Sequence, residues 1–352
     1  MTQDVHLNRN CFDIIRCLCT FTVFLGHFIT HFKVESSVLH EIAYCVRGVP
    51  VFFFLSGLFI SCSLEKYSTK QYLLKRFVRI YPELWVCVLL NLGLIFLSGV
   101  RCGVRDLLIY LGTQLTAFQF YTGAWLREYG VGVPNGALWT ITVDIQFYLI
   151  VIPLAKMLNG RRLRTWIASL AGLMTLDWAL EAFFIKGGTL IYKLLQCNII
   201  PFLWIFLSGM LIHRYADTLI PRLVKLRAVF LVLYIIWQYA APAHIKQCFE
   251  GIRYNIVTTA LLLCLVASFG FSAKYRIRRE CSYSFYLYHM VVIGWIIQTM
   301  TRSFSGAAEF AFWFLITMSG TVVCALLSHY FIAGKMTKAL EARIGGGNTD
   351  GH

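Results

Sequence analysis

Long apolar runs alternate with short polar segments along almost the whole chain. A helix needs about 20 apolar residues to cross a bilayer, and the runs that approach this length predict ten membrane-spanning helices. We place them near residues 12–33, 48–64, 81–100, 137–158, 165–184, 194–213, 228–243, 254–273, 281–301 and 309–333. The pattern therefore predicts an all-α fold, a polytopic integral membrane helical bundle with about ten transmembrane helices.

An eleventh apolar segment, residues 106–121, is shorter and carries Asp106, Gln114 and Gln119. Lysine and arginine collect on the cytoplasmic side of membrane proteins. If this segment does not span and the N-terminus is cytoplasmic, 22 of the 32 lysines and arginines are cytoplasmic. If it spanned, every later loop would change side. We therefore predict ten spans, cytoplasmic N- and C-termini, and a segment 106–121 that lies in the outer interface or re-enters the membrane.

The segments outside the predicted spans are short. We therefore predict a single transmembrane domain over residues 1–340 and a polar, disordered tail over residues 341–352. The first apolar run is not followed by a small-residue cleavage site, so we expect the first span to be kept in the protein.

The composition agrees with a membrane protein. Hydrophobic residues make up 58% of the chain and charged residues 14%, whereas soluble proteins average about 25% charged residues. Positive loops between spans explain the net charge of +15, so we expect no nucleic-acid partner. These loops also suit anionic lipid headgroups. The twelve cysteines form no C-x-x-C pair, which favours reduced packing groups over a disulfide framework or a zinc site.

Ionisable residues interrupt the first apolar run. Asp13 and Arg16 are three residues apart and share a helix face near the inner end. His27 follows Arg16 by eleven residues, about 16 Å along a helix and close to three turns, so it lies on that face too. Such groups predict function because their burial is costly, although Asp13 and Arg16 also suit the interface. His31 would complete a metal pair with His27, but no third ligand is evident and we predict no metal.

The fourth predicted span carries Asp144, about seven residues below its outer end. At about 1.5 Å per residue, Asp144 and His27 each lie about 10 Å below the outer surface. Equal depth is what a histidine–carboxylate pair requires. It does not show that the two helices touch, and a pair between Asp144 and another cation is the alternative.

Other ionisable residues in the spans carry a weaker signal. Asp177 and Glu181 are one turn apart in the fifth span, where like charges repel, so we expect one to be protonated or paired. His289 lies among tyrosines in the ninth span, where a structural hydrogen bond and a chemical role are equally favoured. His329, near the end of the last span, is expected to be structural.

Two arginines precede the third span. Arg76 and Arg79 are three residues apart, and Pro82 follows them where a helix can begin. Two guanidinium groups on one helix face can bind phosphate through paired hydrogen bonds. Ordinary positive-inside charge explains their sign but not their position directly against a span.

Five sequence pieces along nearly the whole chain resemble the acyltransferase-3 family of bacterial integral-membrane acyltransferases, which includes cell-surface polysaccharide O-acetyltransferases. The pieces are FDIIRCLCTFTVFLGH with Arg16 and His27, RGVPVFFFLSGLFI, RFVRIYP, LWTITVDIQFYL and CSYSFYLYHMVV. Each is weak alone, but five in order are specific. One departure is Asp144, which stands where the family usually has the longer Glu.

The resemblance implies transfer of an acyl group, with acetyl expected, from cytoplasmic acyl-CoA to a hydroxyl of a cell-surface or lipid-linked glycan. Acetyl-CoA is then the donor substrate. The resemblance also implies His27 as the general base or as a transient carrier of the acyl group. Asp144 would orient or stabilise that imidazole. Arg76 and Arg79, with help from Arg16, would bind the donor's phosphates.

The implied location is the bacterial inner membrane, with multiple passes. The implied partners are acyl-CoA, the glycan acceptor, the lipid bilayer and proteins of polysaccharide biosynthesis. His289 and Asp13 are secondary site candidates. The alternative function is a polysaccharide or acyl-group transporter or flippase without transferase chemistry, because ten spans with buried charges also suit alternating access.

Overall fold

Helices and their connecting loops make up the described part of the chain. A computed structural model describes residues 10–184, 190–249, 251–252, 254–272, 275, 277, 281–300 and 306–346. Its α-helices are α1 (Phe12–His31), α2 (Ser37–Tyr44), α3 (Gly48–Lys66), α4 (Thr69–Leu97), α5 (Val104–Gln114), α6 (Trp139–Leu158), α7 (Leu163–Phe184), α8 (Leu190–Gln196), α9 (Leu203–Arg214), α10 (Ala216–Ile235), α11 (Ala243–Gln247), α12 (Ile256–Gly270), α13 (Ser282–Thr299), α14 (Ala307–Ser328) and α15 (Gly334–Gly346). The predicted all-α class is confirmed.

Several of these helices have the length and composition of membrane spans. Within the described ranges, five qualify: Phe12–His31, Ser37–Lys66, Thr69–Leu97, Trp139–Leu158 and Ala307–Leu340. A pair bent by 51°, Leu190–Gln196 with Ile200–Arg214, adds a sixth if it forms one span. The chain is therefore an all-helical membrane protein. The count of ten spans and the cytoplasmic termini stay predictions.

The segment 106–121 does not form one long helix. α5 has 11 residues, so it extends about 16 Å, roughly half the hydrocarbon thickness. The chain then turns back, and the Gln114 side-chain amide donates to the carbonyl of Tyr121 at 2.9 Å. A helix this short cannot cross the bilayer by itself, which agrees with the prediction for this segment.

The chain divides into two compact units, each built from separate stretches of sequence. Unit 1 contains Met1–Cys19, Val46–Lys66 and Val143–Glu280, and unit 2 contains Thr20–Cys45, Tyr67–Thr142 and Cys281–His352. The predicted single domain over residues 1–340 stays a prediction. α15 ends at Gly346, and the remainder of the predicted tail, residues 347–352, lies outside the described residues.

In unit 1, α3 and α9 approach each other closely through glycine. A Cβ atom added to Gly57 would collide with the backbone of Phe206, and one added to Gly209 would collide with the backbone of Phe54. Glycine is needed at both positions because small residues let helix backbones touch. The sequences FFFLSGLFI (52–60) and WIFLSGMLI (204–212), which share the order Phe-Leu-Ser-Gly, therefore meet at this crossing.

A break in unit 1 is supported by a glutamine from α6. Gln146 donates to the Cys197 carbonyl at 2.7 Å and accepts from the Ile199 backbone N–H at 3.0 Å. These two backbone groups lie at the bend between α8 and α9. Gln146 therefore supplies hydrogen-bond partners where the chain departs from a continuous helix.

In unit 2, α4 and α13 run parallel. The Tyr283 hydroxyl donates to the Ile80 carbonyl at 3.1 Å, and further along the Cys87 thiol donates to the Leu287 carbonyl at 3.4 Å. From the first contact to the second, the residue numbers increase along both α4 and α13, so the two helices run in the same direction. All twelve cysteines lie within the described ranges and none forms a disulfide.

Candidate active site

Two histidines from distant parts of the sequence meet in unit 2. His27 Nδ1 on α1 lies 2.8 Å from His289 Nε2 on α13. The two rings are 2° from parallel and their centroids are 5.0 Å apart. A short N···N distance with nearly parallel planes describes two imidazoles joined edge to edge by a hydrogen bond.

The protons in this pair can be placed from the hydrogen bonds. His289 Nδ1 lies 2.7 Å from the backbone carbonyl of Tyr286, and a carbonyl oxygen only accepts. His289 Nδ1 therefore carries the proton, and in the neutral ring Nε2 is the acceptor. His27 then donates its Nδ1 proton to His289, and in the neutral His27 ring Nε2 carries the lone pair. His27 Nε2 is the basic atom of the pair.

Aromatic packing surrounds the imidazole pair. His289 is only 1% exposed, whereas His27 is half-buried. Phe24 and Phe28, on the turns of α1 beside His27, place their rings 5.7 and 5.3 Å from the ring of Phe314 on α14. These aromatic contacts pack α1 against α14 next to the turn that carries His27.

His31 lies one turn beyond His27, with its ring centroid 6.0 Å from that of His27. Among the residues that the structure describes, no group of three histidine, cysteine or carboxylate side chains is arranged to hold a metal. The predicted absence of a metal stays a prediction.

Asp13 and Arg16 lie together in unit 1. Arg16 Nη1 is 3.4 Å from Asp13 Oδ1, and its guanidinium stacks over the ring of Phe59 at 4.7 Å. Asp13 Oδ2 also accepts the backbone N–H of Ile277 at 3.2 Å. Asp13 thus has a clear structural role, because it joins α1 to the segment before α13 and orients Arg16.

The two predicted phosphate-binding arginines lie on α4 in unit 2. Arg79 is exposed, and the Arg76 guanidinium lies 5.5 Å from the ring centre of Tyr72. Both are within α4, which begins at Thr69 and continues through Pro82, so the helix starts earlier than the sequence predicts. Their use as a phosphate site stays a prediction.

Asp144 lies on α6, half-buried, in the part of that helix that belongs to unit 1. His27 belongs to unit 2. The described hydrogen bond of His27 Nδ1 goes to His289, which orients the imidazole at this nitrogen. A pair between Asp144 and His27 stays a prediction.

Asp177 is a buried acid in unit 1, 3% exposed, and it accepts the indole N–H of Trp204 at 3.1 Å. Unit 2 contains a buried acid that the sequence analysis did not single out. Glu83 on α4 is 3% exposed and accepts from the Ser328 hydroxyl at 2.8 Å. The sequence could have identified Glu83, because it is an ionisable residue inside a predicted span and lies one turn after Arg79.

Tyr129 lies outside the predicted spans, and its surroundings shift the pKa of its hydroxyl. It lies in the loop before α6, and burial raises the pKa of its hydroxyl to about 12. Tyr129 therefore stays protonated at physiological pH. The next residue, Gly130, donates its backbone N–H to Gln298 on α13 at 2.7 Å, so this loop is held against the C-terminal end of the helix that carries His289.

Comparison with known proteins identifies the family of the chain. The chain is 26% identical over 372 aligned positions to Nodulation protein 10 from Rhizobium leguminosarum bv. viciae, covering 96% of each chain. No solved structure matches the chain. The family model described as an acyltransferase domain, that of the acyltransferase-3 family, matches residues 9–329 and so includes both α1 and α13. The chain belongs to the acyltransferase-3 family and is a membrane acyltransferase.

Proposed function

We propose that this protein transfers an acyl group, with acetyl expected, from cytoplasmic acyl-CoA to a hydroxyl of a cell-surface or lipid-linked glycan. The reaction takes place in the bacterial inner membrane. The observation that carries the proposal is the imidazole pair, because His289 holds the His27 proton on Nδ1 and leaves the lone pair on Nε2. A base with a fixed tautomer is what hydroxyl activation requires.

The proposed step conserves atoms and protons. His27 Nε2 removes the proton from the acceptor hydroxyl while the oxygen attacks the thioester carbonyl carbon. The carbon–sulfur bond then breaks, and the protonated Nε2 returns its proton to the departing sulfur. The products are an ester on the glycan and free CoA. His289 stabilises the transient His27 imidazolium by accepting its Nδ1 proton in a hydrogen bond.

The donor is proposed to enter from the cytoplasmic side. Arg76 and Arg79 carry positive charge on the first half of α4, and paired guanidinium groups favour phosphate. Arg16 lies on the same helix as His27, eleven residues earlier, or about 16 Å along the axis. These arginines are proposed to hold the phosphate-rich end of acyl-CoA while its thioester reaches His27.

A transporter or flippase without transferase chemistry is the competing proposal. Family membership favours acyl transfer. The hydrogen-bonded imidazole pair also favours it, since a base with one fixed lone pair suits proton transfer more directly than substrate movement.

The test uses purified full-length protein, acetyl-CoA and a glycan acceptor. We expect thiol release and acetyl ester formation, and we expect His27→Ala to lower the rate by about 10²–10⁴-fold. His244→Ala is the matched control, because His244 lies on the short helix α11 and is exposed. Wild-type activity in His27→Ala would overturn the proposed mechanism, and a wild-type protein that consumes no acetyl-CoA would favour the transporter.

A further inference from the structure

The turn of α13 that carries His289 is fixed by one tyrosine through three separate contacts. The backbone carbonyl of Tyr286 accepts the Nδ1 proton of His289 at 2.7 Å. The phenol ring of Tyr286 lies against the His289 imidazole, with ring centroids 5.5 Å apart. The Tyr286 hydroxyl makes the third contact, with a separate set of hydrogen-bonding groups at the start of α6. Tyr286 therefore links the imidazole pair to those groups.

The hydrogen-bonding groups that the Tyr286 hydroxyl contacts lie at the start of α6, in unit 2. The Tyr286 hydroxyl donates to the Ala137 carbonyl at 3.0 Å and lies 2.9 Å from the Thr140 hydroxyl. Thr140 is itself 3.1 Å from the Ala137 carbonyl. Two hydroxyl protons and their acceptors can all be satisfied here: Tyr286 donates to Ala137, and Thr140 donates to the Tyr286 oxygen. The small network is buried and complete.

The segment before Ala137 is held in the same way. Asn135 donates its side-chain amide to the Leu287 carbonyl at 2.8 Å, and Asn91 on α4 donates to the Pro134 carbonyl at 2.7 Å. Buried backbone without regular secondary structure needs hydrogen-bond partners of this kind. Residues 134–140, here called the α6 entry segment, thus form a rigid support against which the turn of α13 rests.

We propose that Tyr286 is a positioning residue for acyl transfer, because its hydroxyl fixes the His289 turn to the α6 entry segment. This inference rests on the proposed function. The length of the His27–His289 hydrogen bond depends on where α13 holds His289, and a shift of about 1 Å in a catalytic arrangement can cost about 100-fold in rate. Tyr286 does not touch the substrate in this proposal; it acts through His289.

The test is Tyr286→Phe, which removes only the hydroxyl and keeps the ring and the backbone carbonyl. We expect kcat to fall by about tenfold, with the KM for acetyl-CoA within about twofold of wild type, because the donor site is unchanged. Thr140→Val provides a second variant. It removes the other hydroxyl but keeps the Tyr286–Ala137 bond, so we expect a smaller fall in kcat.

Tyr283→Phe is the matched control. Tyr283 is on the same helix, and its hydroxyl also donates to a backbone carbonyl, that of Ile80, at 3.1 Å. Tyr283→Phe removes this hydrogen bond, whereas Tyr286→Phe removes the two hydrogen bonds that the Tyr286 hydroxyl makes with Ala137 and Thr140. A purely structural role for Tyr286 therefore predicts that activity falls in both variants only in proportion to the loss of thermal stability.

A spectroscopic measurement separates positioning from folding. In protein labelled with nitrogen-15 histidine, we expect Tyr286→Phe to move the resonances of His27 Nδ1 and His289 Nε2, and Tyr283→Phe to leave them in place. Unmoved resonances, or equal kcat in the two variants, would overturn the inference. The proposed function fails separately, if the wild-type protein transfers no acetyl group or if His27→Ala retains full activity.

Discussion

His27 presents two chemically different nitrogens, and the protein decides which one is basic. The Tyr286 carbonyl fixes the proton of His289, and His289 in turn fixes the proton of His27. Which nitrogen of His27 is basic therefore depends on a hydrogen-bond acceptor near the position of His289 Nε2. That acceptor need not be an imidazole. This distinction can be tested at the level of one side chain.

We predict that His289→Gln retains much more activity than His289→Ala. The glutamine Oε1 can reach about the position of Nε2 and accept the Nδ1 proton of His27, whereas alanine leaves either tautomer available. We expect the loss in kcat for His289→Ala to approach the loss of about 10²–10⁴-fold expected for His27→Ala, because His289 acts through His27, and we expect a loss of about tenfold for His289→Gln. The measurement is kcat with saturating acetyl-CoA; equal losses would show that the second imidazole itself takes part in the chemistry.

At the scale of helices, the tightest contact is the crossing of α3 and α9. Gly57 and Gly209 each face the backbone of the other helix, so an added methyl group has no flexible side chain to displace. The helices themselves must move apart, and the packed rings of Phe53 and Phe206, 4.8 Å apart, must separate with them.

We predict that Gly57→Ala lowers stability by about 2–4 kcal/mol, in the upper range for overpacking of a core. Gly93→Ala is the control, because Gly93 lies within α4 and an added Cβ meets nothing within 4 Å. That change should be neutral or slightly stabilising, since alanine favours helix more than glycine. Thermal unfolding in detergent measures both; equal unfolding temperatures would contradict the close crossing.

The helices were easier to predict than their contacts. Apolar length identifies α1, α4, α6 and α14 as helices because hydrocarbon imposes a minimum span. The start of α4 at Thr69, well before Pro82, was missed because proline inside a helix is tolerated in a membrane bundle and does not mark its beginning.

The candidate site shows where sequence reasoning stops. Equal depth predicts Asp144 as a partner of His27, and that pair stays a prediction, because depth gives one coordinate and not the rotation of each helix. The observed partner, His289, is 262 residues away, and only the packing of α1 against α13 selects it. Tyr286 was even less predictable, because its importance comes from a carbonyl and a hydroxyl that act on different neighbours.

At the scale of the whole molecule, the proposed reaction takes its donor and its acceptor from opposite sides of the membrane. The proposed donor, acyl-CoA, is water-soluble and cytoplasmic, and the charge pattern predicts that Arg76 and Arg79 face the cytoplasm. The acceptor hydroxyl is proposed to approach His27 from the outer half of the membrane, about 16 Å along α1 from Arg16. The reaction therefore has a direction across the membrane.

We predict that sealed vesicles reveal this direction. Inverted vesicles expose the cytoplasmic face and should consume added acetyl-CoA, whereas right-side-out vesicles should do so only after permeabilisation, because acetyl-CoA does not cross a bilayer. In permeabilised vesicles, Arg76→Gln with Arg79→Gln should raise the KM for acetyl-CoA by about tenfold or more with little change in kcat, because phosphate binding is lost while the imidazole pair is kept. Consumption by intact right-side-out vesicles would place the donor site on the outer face and reverse the proposed topology. An unchanged KM would instead leave the topology in place and remove these two arginines from the donor site.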